Sequence, residues 1–103
     1  MPIARTKPLA GPAPHPGEVL KDELEARGLS AHALALALRL PASRISQIVR
    51  RQRAISPETA LRLARYFGGS PAIWLRLQLA YDLSRAETEL SAKIAAEVSP
   101  AAA

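Results

Sequence analysis

The chain has 103 residues, nearly half of them apolar, with no cysteine and a formal net charge of +5. This length suits one small domain, and the absence of cysteine excludes disulfides, thiolate metal sites and cysteine nucleophiles. No apolar run approaches the length of a membrane span and no signal peptide is recognisable, so we expect a cytoplasmic protein with no membrane contact.

The positive charge is concentrated in one segment. Residues 39–53 hold five arginines and no acid, which equals the net charge of the whole chain, and the other segments cancel one another. A concentrated basic patch is typical of a surface that binds phosphates. A solvated basic loop is the alternative, and charge alone does not separate the two.

The pattern of apolar residues and helix caps predicts an all-α fold. Five prolines and no helical period in residues 1–16 predict a flexible N-terminal arm. The run AHALALAL alternates with the period of a strand, but Ala and Leu are strong helix formers and Ser30 is a good N-cap. The first three helices are therefore predicted over residues 17–27, 31–38 and 42–49.

Two serine-proline pairs and a capping box predict the remaining helices. Ser56-Pro57 begins a fourth helix that runs to about Phe67, with Ala60, Leu61, Ala64 and Phe67 facing inward. Ser70-Pro71 begins a fifth helix to about residue 83. The capping box Ser84-Arg85-Ala86-Glu87 predicts a sixth helix to about Val98. The chain then divides into an arm (1–16), a central domain (17–83) and a C-terminal helix and tail (84–103).

The second and third predicted helices are short and are joined by a three-residue turn, which is the spacing of a helix-turn-helix. The second helix of such a pair lies in the major groove of DNA and reads base edges. Ile45, Ile48 and Val49 would dock this helix on the core. The candidates for base reading are Ala42, Ser43 and Gln47; a glutamine can bond adenine in bidentate fashion. The alternative is that Ser43 and Gln47 are ordinary solvated residues.

Further residues around this pair are candidates for contacts with the DNA backbone, which set affinity and register. They are Ser30, Arg39, Arg44, Ser46, Arg50, Arg51 and Arg53. Leu36 is predicted to point outward, either as a scattered surface leucine or as a contact with a partner chain or a second DNA-bound dimer.

Longer stretches carry a resemblance to a known family. The segment GLSAHALALALRLPASRISQIVRRQRAIS resembles the lambda-repressor-like helix-turn-helix family. With HPGEVLKDELEARGLS before it and SPETALRLARYFGGSPAIWLRLQLAYDL after it, the chain resembles HigA-type antitoxins over about residues 15–83. The resemblance implies a five-helix domain plus a C-terminal helix. It also implies a homodimer that represses its own operon and neutralises HigB, an mRNA-cleaving ribonuclease toxin.

The resemblance places the dimer interface on the fifth helix, at Trp74, Leu77, Gln78 and Tyr81, with core packing as the alternative for Trp74 and Tyr81. The chain also departs from the family pattern. Arg39 stands where the family usually has Gly, so this residue must adopt a left-handed conformation or the turn must differ. Arg50-Arg51 replaces the usual Asn-Gly, and Ala31 replaces a glutamine that touches a phosphate.

The sequence is compatible with three classes of function. The first is an antitoxin that is also an autorepressor, and the second is a solitary or phage-type repressor without a toxin. The third is an interaction module or a small enzyme on the same helical scaffold. The sequence has no acid–base pair, histidine cluster, phosphate-binding glycine loop or nucleophile motif, so it predicts no enzyme, no cofactor and no metal site.

Overall fold

The computed structural model describes residues 13–102, which form five α-helices and, within that range, no strand. The helices are α1 (Pro16–Arg27), α2 (Ala31–Leu38), α3 (Ala42–Val49), α4 (Pro57–Phe67) and α5 (Pro71–Glu97). The predicted all-α fold is confirmed. Most of the predicted N-terminal arm lies outside the described residues, and the last arm residue, Pro16, is already the first residue of α1.

Side-chain caps explain where the helices begin. The hydroxyls of Ser30, Ser56 and Ser70 accept hydrogen bonds from backbone N–H groups in the first turns of α2, α4 and α5, at 3.0, 3.2 and 3.1 Å. These bonds satisfy amides that have no partner inside the helix. His15 caps α1 in the same way, because its Nδ1 accepts from the N–H of Gly17 at 2.8 Å. The predicted N-caps at Ser30, Ser56 and Ser70 are confirmed.

One apolar core joins all five helices. Its largest fully buried aliphatic side chains come one or two from each of the first four helices, and Trp74 of α5 closes it. They are Leu20, Leu34, Ile45, Ile48 and Leu63.

On α4 the predicted inward position of Leu61 is wrong. Leu61 is 61% exposed and Leu63 is fully buried, whereas Ala60 and Ala64 are buried as predicted. Both leucines adjoin the Ala60–Ala64 line on the helix surface, so the sequence period allows either one. Packing of α4 against α2 and α5 turns the helix so that Leu63 faces the core.

The predicted break between a fifth and a sixth helix is not found, because α5 is continuous from Pro71 to Glu97. Ser84 lies inside it: its carbonyl accepts the Thr88 hydroxyl at 3.0 Å, and its own hydroxyl accepts from the N–H of Ala13 at 3.2 Å. No glycine or proline follows Pro71 before Pro100, and a serine alone does not stop a helix. From Glu87 onward the residues of α5 are exposed, so its end projects from the domain.

Candidate DNA interface

Helix α3 lies with one face in the core and the other toward solvent. Ile45 and Ile48 are fully buried, while Ala42 and Ser43 are exposed and Gln47 is half-buried. The predicted outward placement of the three base-reading candidates is confirmed. Their contact with bases stays a prediction.

The turn between α2 and α3 is closed by Arg39 in the left-handed conformation, with φ 59° and ψ 42°. The N–H of Leu40 donates to the carbonyl of Ala35 at 2.9 Å, which completes a helix-ending motif that usually uses glycine. Of the two alternatives raised by the sequence, the left-handed residue is the one observed. It costs about 1–2 kcal/mol relative to a right-handed residue.

A second left-handed arginine closes α3. Arg51 has φ 64°, and the N–H of Gln52 donates to the carbonyl of Gln47 at 2.8 Å. Arg51 stands where the resembling family usually has glycine. Two of the five arginines in residues 39–53 are thus held in strained backbone positions, which fixes where their side chains leave the chain.

Two polar side chains of α3 already form hydrogen bonds within the protein. The Nε–H of Arg53 donates to Oε1 of Gln47 at 2.8 Å, and the Ser46 hydroxyl donates to the carbonyl of Ser43 at 3.0 Å. Because the hydroxyl proton of Ser46 is used, this residue could donate to a phosphate only by losing that bond. Arg53 and Gln47 were predicted as separate contacts, and the structure brings them together.

Most of the basic charge on this surface is not neutralised. Within residues 13–102, Arg39, Arg44 and Arg50 form no ion pair. Arg51 lies 3.4 Å from a carboxylate oxygen of Glu18, but both side chains are more than half exposed, so the pair adds little stability. A surface with this many free guanidinium groups attracts a polyanion.

Two contacts that sequence reasoning missed hold the interface on the scaffold. A Cβ at Gly17 would lie 1.9 Å from the carbonyl oxygen of Ile48, so α1 touches the last turn of α3 backbone to backbone. The buried Oε1 of Gln78 accepts from the N–H of Ile55 at 2.8 Å and thereby ties the end of the basic loop to α5. A glycine near a helix start was the only local signal for the first contact; the second has none, because its partners are 23 residues apart.

His15 is a buried group beside this interface. Its ring lies edge-on to Tyr81, with 4.7 Å between the centroids. Burial lowers the pKa of His15 and the nearby Arg51 guanidinium lowers it further, while Glu18 and Asp82 oppose the shift. The imidazole is therefore neutral at pH 7, which leaves Nδ1 free to accept the hydrogen bond that caps α1.

The residues predicted for a dimer interface are engaged within the protomer. Trp74 and Gln78 are buried, and Leu77 and Tyr81 are half-buried. Gln78 also donates to a carboxylate oxygen of Asp82 at 3.0 Å. Contact of these four residues with a second copy of the chain stays a prediction. Much of their side-chain surface is already buried within the protomer.

The described residues contain no group of three or more histidines and acids arranged to hold a metal ion. None of the helices in residues 13–102 is long and apolar enough to cross a membrane. Leu36 is 61% exposed, which confirms its predicted outward position.

Comparison with known proteins agrees with this arrangement. The family model described as helix-turn-helix matches residues 20–74. Virulence-associated protein I of Dichelobacter nodosus is 60% identical over 79 residues, which cover 76% of this chain and 73% of that protein.

Two solved structures are similar over most of the chain. One is an addiction module antidote protein of the HigA family from Coxiella burnetii, with 42% identity and a TM-score of 0.84 over 88% of this chain and 100% of that chain. The other is antitoxin HigA of Pseudomonas aeruginosa with the higBA promoter, with 42% identity and a TM-score of 0.84 over 87% of this chain and 99% of that chain. The chain belongs to the helix-turn-helix family and, within it, to the HigA family of antitoxins.

Proposed function

We propose that this protein binds operator DNA as a homodimer, represses its own toxin–antitoxin operon and neutralises a HigB-like ribonuclease toxin. The observation that carries the DNA-binding part is the geometry of α3, with Ile45 and Ile48 in the core and Ala42, Ser43 and Gln47 facing outward. Membership of the HigA family supports the regulatory role. That family is not enzymatic, in agreement with the expectation of a binding protein.

The dimensions and charge of α3 suit the major groove. An α-helix with its side chains is about 10–12 Å in diameter, and the major groove of B-DNA is about 12 Å wide, so α3 can enter it. The exposed arginines around α3 would neutralise phosphates on either side of the groove while the outward side chains meet base edges. The similar Pseudomonas antitoxin was solved with its promoter, which favours the same use of this surface.

The homodimer is supported by an apolar stripe on α5 that faces away from the core. Leu79, Leu83, Leu90 and Ile94 follow one another at spacings of four, seven and four, and each is between 42% and 63% exposed. They lie on the side of α5 opposite Trp74 and Gln78. A helix that is apolar on two opposite sides favours a second partner on the side that faces away from the core.

We name these four residues the outer stripe and assign the dimer contact to it. A second copy of α5 would cover the outer stripe through a symmetric, self-complementary contact. It would also present two α3 helices to two half-sites of DNA.

The toxin partner rests on the family relationship. The test is to tag the protein at its own chromosomal locus, purify it gently and determine the mass of what accompanies it. A stoichiometric small protein that cleaves mRNA and arrests growth when expressed alone supports the antitoxin function. A dimer that carries only DNA contradicts the toxin-neutralising part and favours a solitary or phage-type repressor.

A further inference from the structure

The amide of Gln47 is not free to present either of its ends to DNA. Its Oε1 accepts a hydrogen bond from the Nε–H of Arg53 at 2.8 Å. A guanidinium group has only donors, so the atom of the amide that faces Arg53 must be the oxygen. The nitrogen with its two hydrogens therefore points away from Arg53.

This orientation changes what Gln47 can read. The bidentate contact of glutamine with adenine needs the amide oxygen as the acceptor for the N6 amino group. That oxygen is already held by a charged donor, and hydrogen bonds with one charged partner are roughly twice as strong as neutral ones. The oxygen has a second lone pair, but reading adenine in bidentate fashion would require Oε1 to be shared between the adenine N6 amino group and the charged donor of Arg53, which disfavours the adenine contact.

The free NH₂ group matches a different base. Guanine presents two neighbouring acceptors, N7 and O6, in the major groove. Thymine presents one acceptor beside a methyl group, adenine places its N7 next to an amino donor, and cytosine presents a donor. An amide whose two N–H donors are free and whose oxygen is shared with Arg53 therefore fits guanine best and cytosine least.

We infer that Arg53 is a positioning residue that makes Gln47 a hydrogen-bond donor, so that α3 reads guanine rather than adenine at the base pair facing Gln47. This inference rests on the proposed DNA binding. The two terminal nitrogens of Arg53 remain available for a phosphate, since only Nε bonds to Gln47 among the described residues. Arg53 would then contact a phosphate of the DNA backbone and also determine which base Gln47 reads.

The test uses the full chain and a randomised duplex DNA library, with sequencing of the bound fraction. The position that Gln47 reads is the one at which Gln47→Ala loses its preference. Wild type should prefer guanine over adenine there by about fivefold or more. Arg53→Ala should move the preference at this position toward adenine and leave the other positions unchanged.

Two further variants separate positioning from charge. Arg53→Lys keeps the positive charge but loses the planar Nε–H donor, so it should show the same shift toward adenine with the salt dependence of binding retained. Arg50→Ala removes another exposed charge that has no bond to Gln47, so it should weaken binding to all sequences without changing any base preference.

Three results would overturn the inference. They are a wild-type preference for adenine at this position, an unchanged preference in both Arg53 variants, or a shift of the same kind in Arg50→Ala. A failure of the proposed function looks different, because wild type would then enrich no sequence from the library at all. All the varied side chains are partly or fully exposed, so loss of folding is not expected to obscure the result.

Discussion

The contact between Gly17 and Ile48 shows how a single residue positions the DNA-binding helix. No side chain larger than hydrogen fits there, because the carbonyl oxygen of Ile48 would lie 1.9 Å from a Cβ. The nearest atoms to this Cβ would be the backbone of Ile48 and the buried ring of His15, and neither can move aside freely. Gly17 is thus required by close approach, and its own backbone is ordinary helix.

We expect Gly17→Ala to lower the free energy of unfolding by about 1–3 kcal/mol, the usual cost of overpacking, and to weaken DNA binding because α3 must shift. Urea denaturation and a binding titration measure the two effects. Gly28→Ala is the control: it strains a left-handed position with φ 63° but meets no atom within 4 Å, so it should lose stability with DNA affinity unchanged. Unchanged stability and affinity in Gly17→Ala would contradict the close contact.

His15 predicts a pH dependence of stability. Its pKa is lowered in the folded state, first by burial and then by Arg51, against Glu18 and Asp82. The unfolded chain therefore takes up a proton more readily, so the stability contributed by neutral His15 is complete above pH 6.5 and is lost as the pH falls through the folded pKa. Protonation of Nδ1 would also remove the cap of α1.

The free energy of unfolding should therefore fall more steeply below pH 6.5 in wild type than in His15→Asn, since asparagine can cap a helix but does not titrate. Denaturant titrations at pH 7.5, 6.5 and 5.5 measure this difference. Parallel curves for the two proteins would show that His15 does not couple folding to protons.

Among the elements, α5 combines two roles on two faces. Its inner face closes the core through Trp74 and anchors the basic loop through Gln78. Its outer stripe is exposed along a helix of 27 residues, which is about 40 Å long. The two faces are separate, so the proposed dimer can be tested without disturbing the fold.

Leu83→Glu should weaken dimerisation by about tenfold or more while the helical content is retained, because a charge would be buried at the proposed contact. Light scattering on a dilution series and circular dichroism measure the two properties. Leu61→Glu is the matched control, since Leu61 is as exposed as the outer stripe but lies on α4. If Leu83→Glu leaves the mass unchanged, the dimer contact lies elsewhere, for example at the Trp74 face.

For the whole molecule, the distribution of charge determines how DNA binding depends on salt. The five arginines of residues 39–53 equal the net charge, so phosphate neutralisation should be concentrated on one surface. The logarithm of the binding constant should fall linearly with the logarithm of salt concentration, with a slope of about −0.9 for each phosphate neutralised.

Arg50→Ala should therefore make the slope shallower by about 0.9 per subunit, on operator and random DNA alike. Arg76→Ala is the control, because Arg76 is an exposed arginine on α5 outside the basic segment. Fluorescence anisotropy at several salt concentrations gives the slopes. Equal slopes in wild type and Arg50→Ala would remove Arg50 from the phosphate contacts.

The helices that carry the interface were predictable because their signals are local. Ser30 and Ser56 cap the helices that follow them, and Pro41 precedes α3. The three-residue spacing of Ile45 and Ile48 among polar residues marks the inward face of α3. Arg39 could also be recognised as unusual, since it stands where the resembling family usually has glycine, whereas the left-handed conformation of Arg51 was not predicted. Caps, spacing and charge act within a few residues, so they can be read from the chain alone.

Contacts between distant residues were not predictable. Leu63 rather than Leu61 is buried because α2 and α5 pack on one side of α4, and the Oε1 of Gln78 accepts a hydrogen bond from the N–H of Ile55, which is 23 residues away. The pairing of Gln47 with Arg53 depends on the left-handed turn at Arg51, which brings the loop back toward α3. The sequence alone thus specifies a basic helix-turn-helix, because the caps, the apolar spacing and the charges that define it lie within one or two helical turns of one another. Which side chains of that helix are free, and with which end they face DNA, depends on how the loop and α5 pack against it.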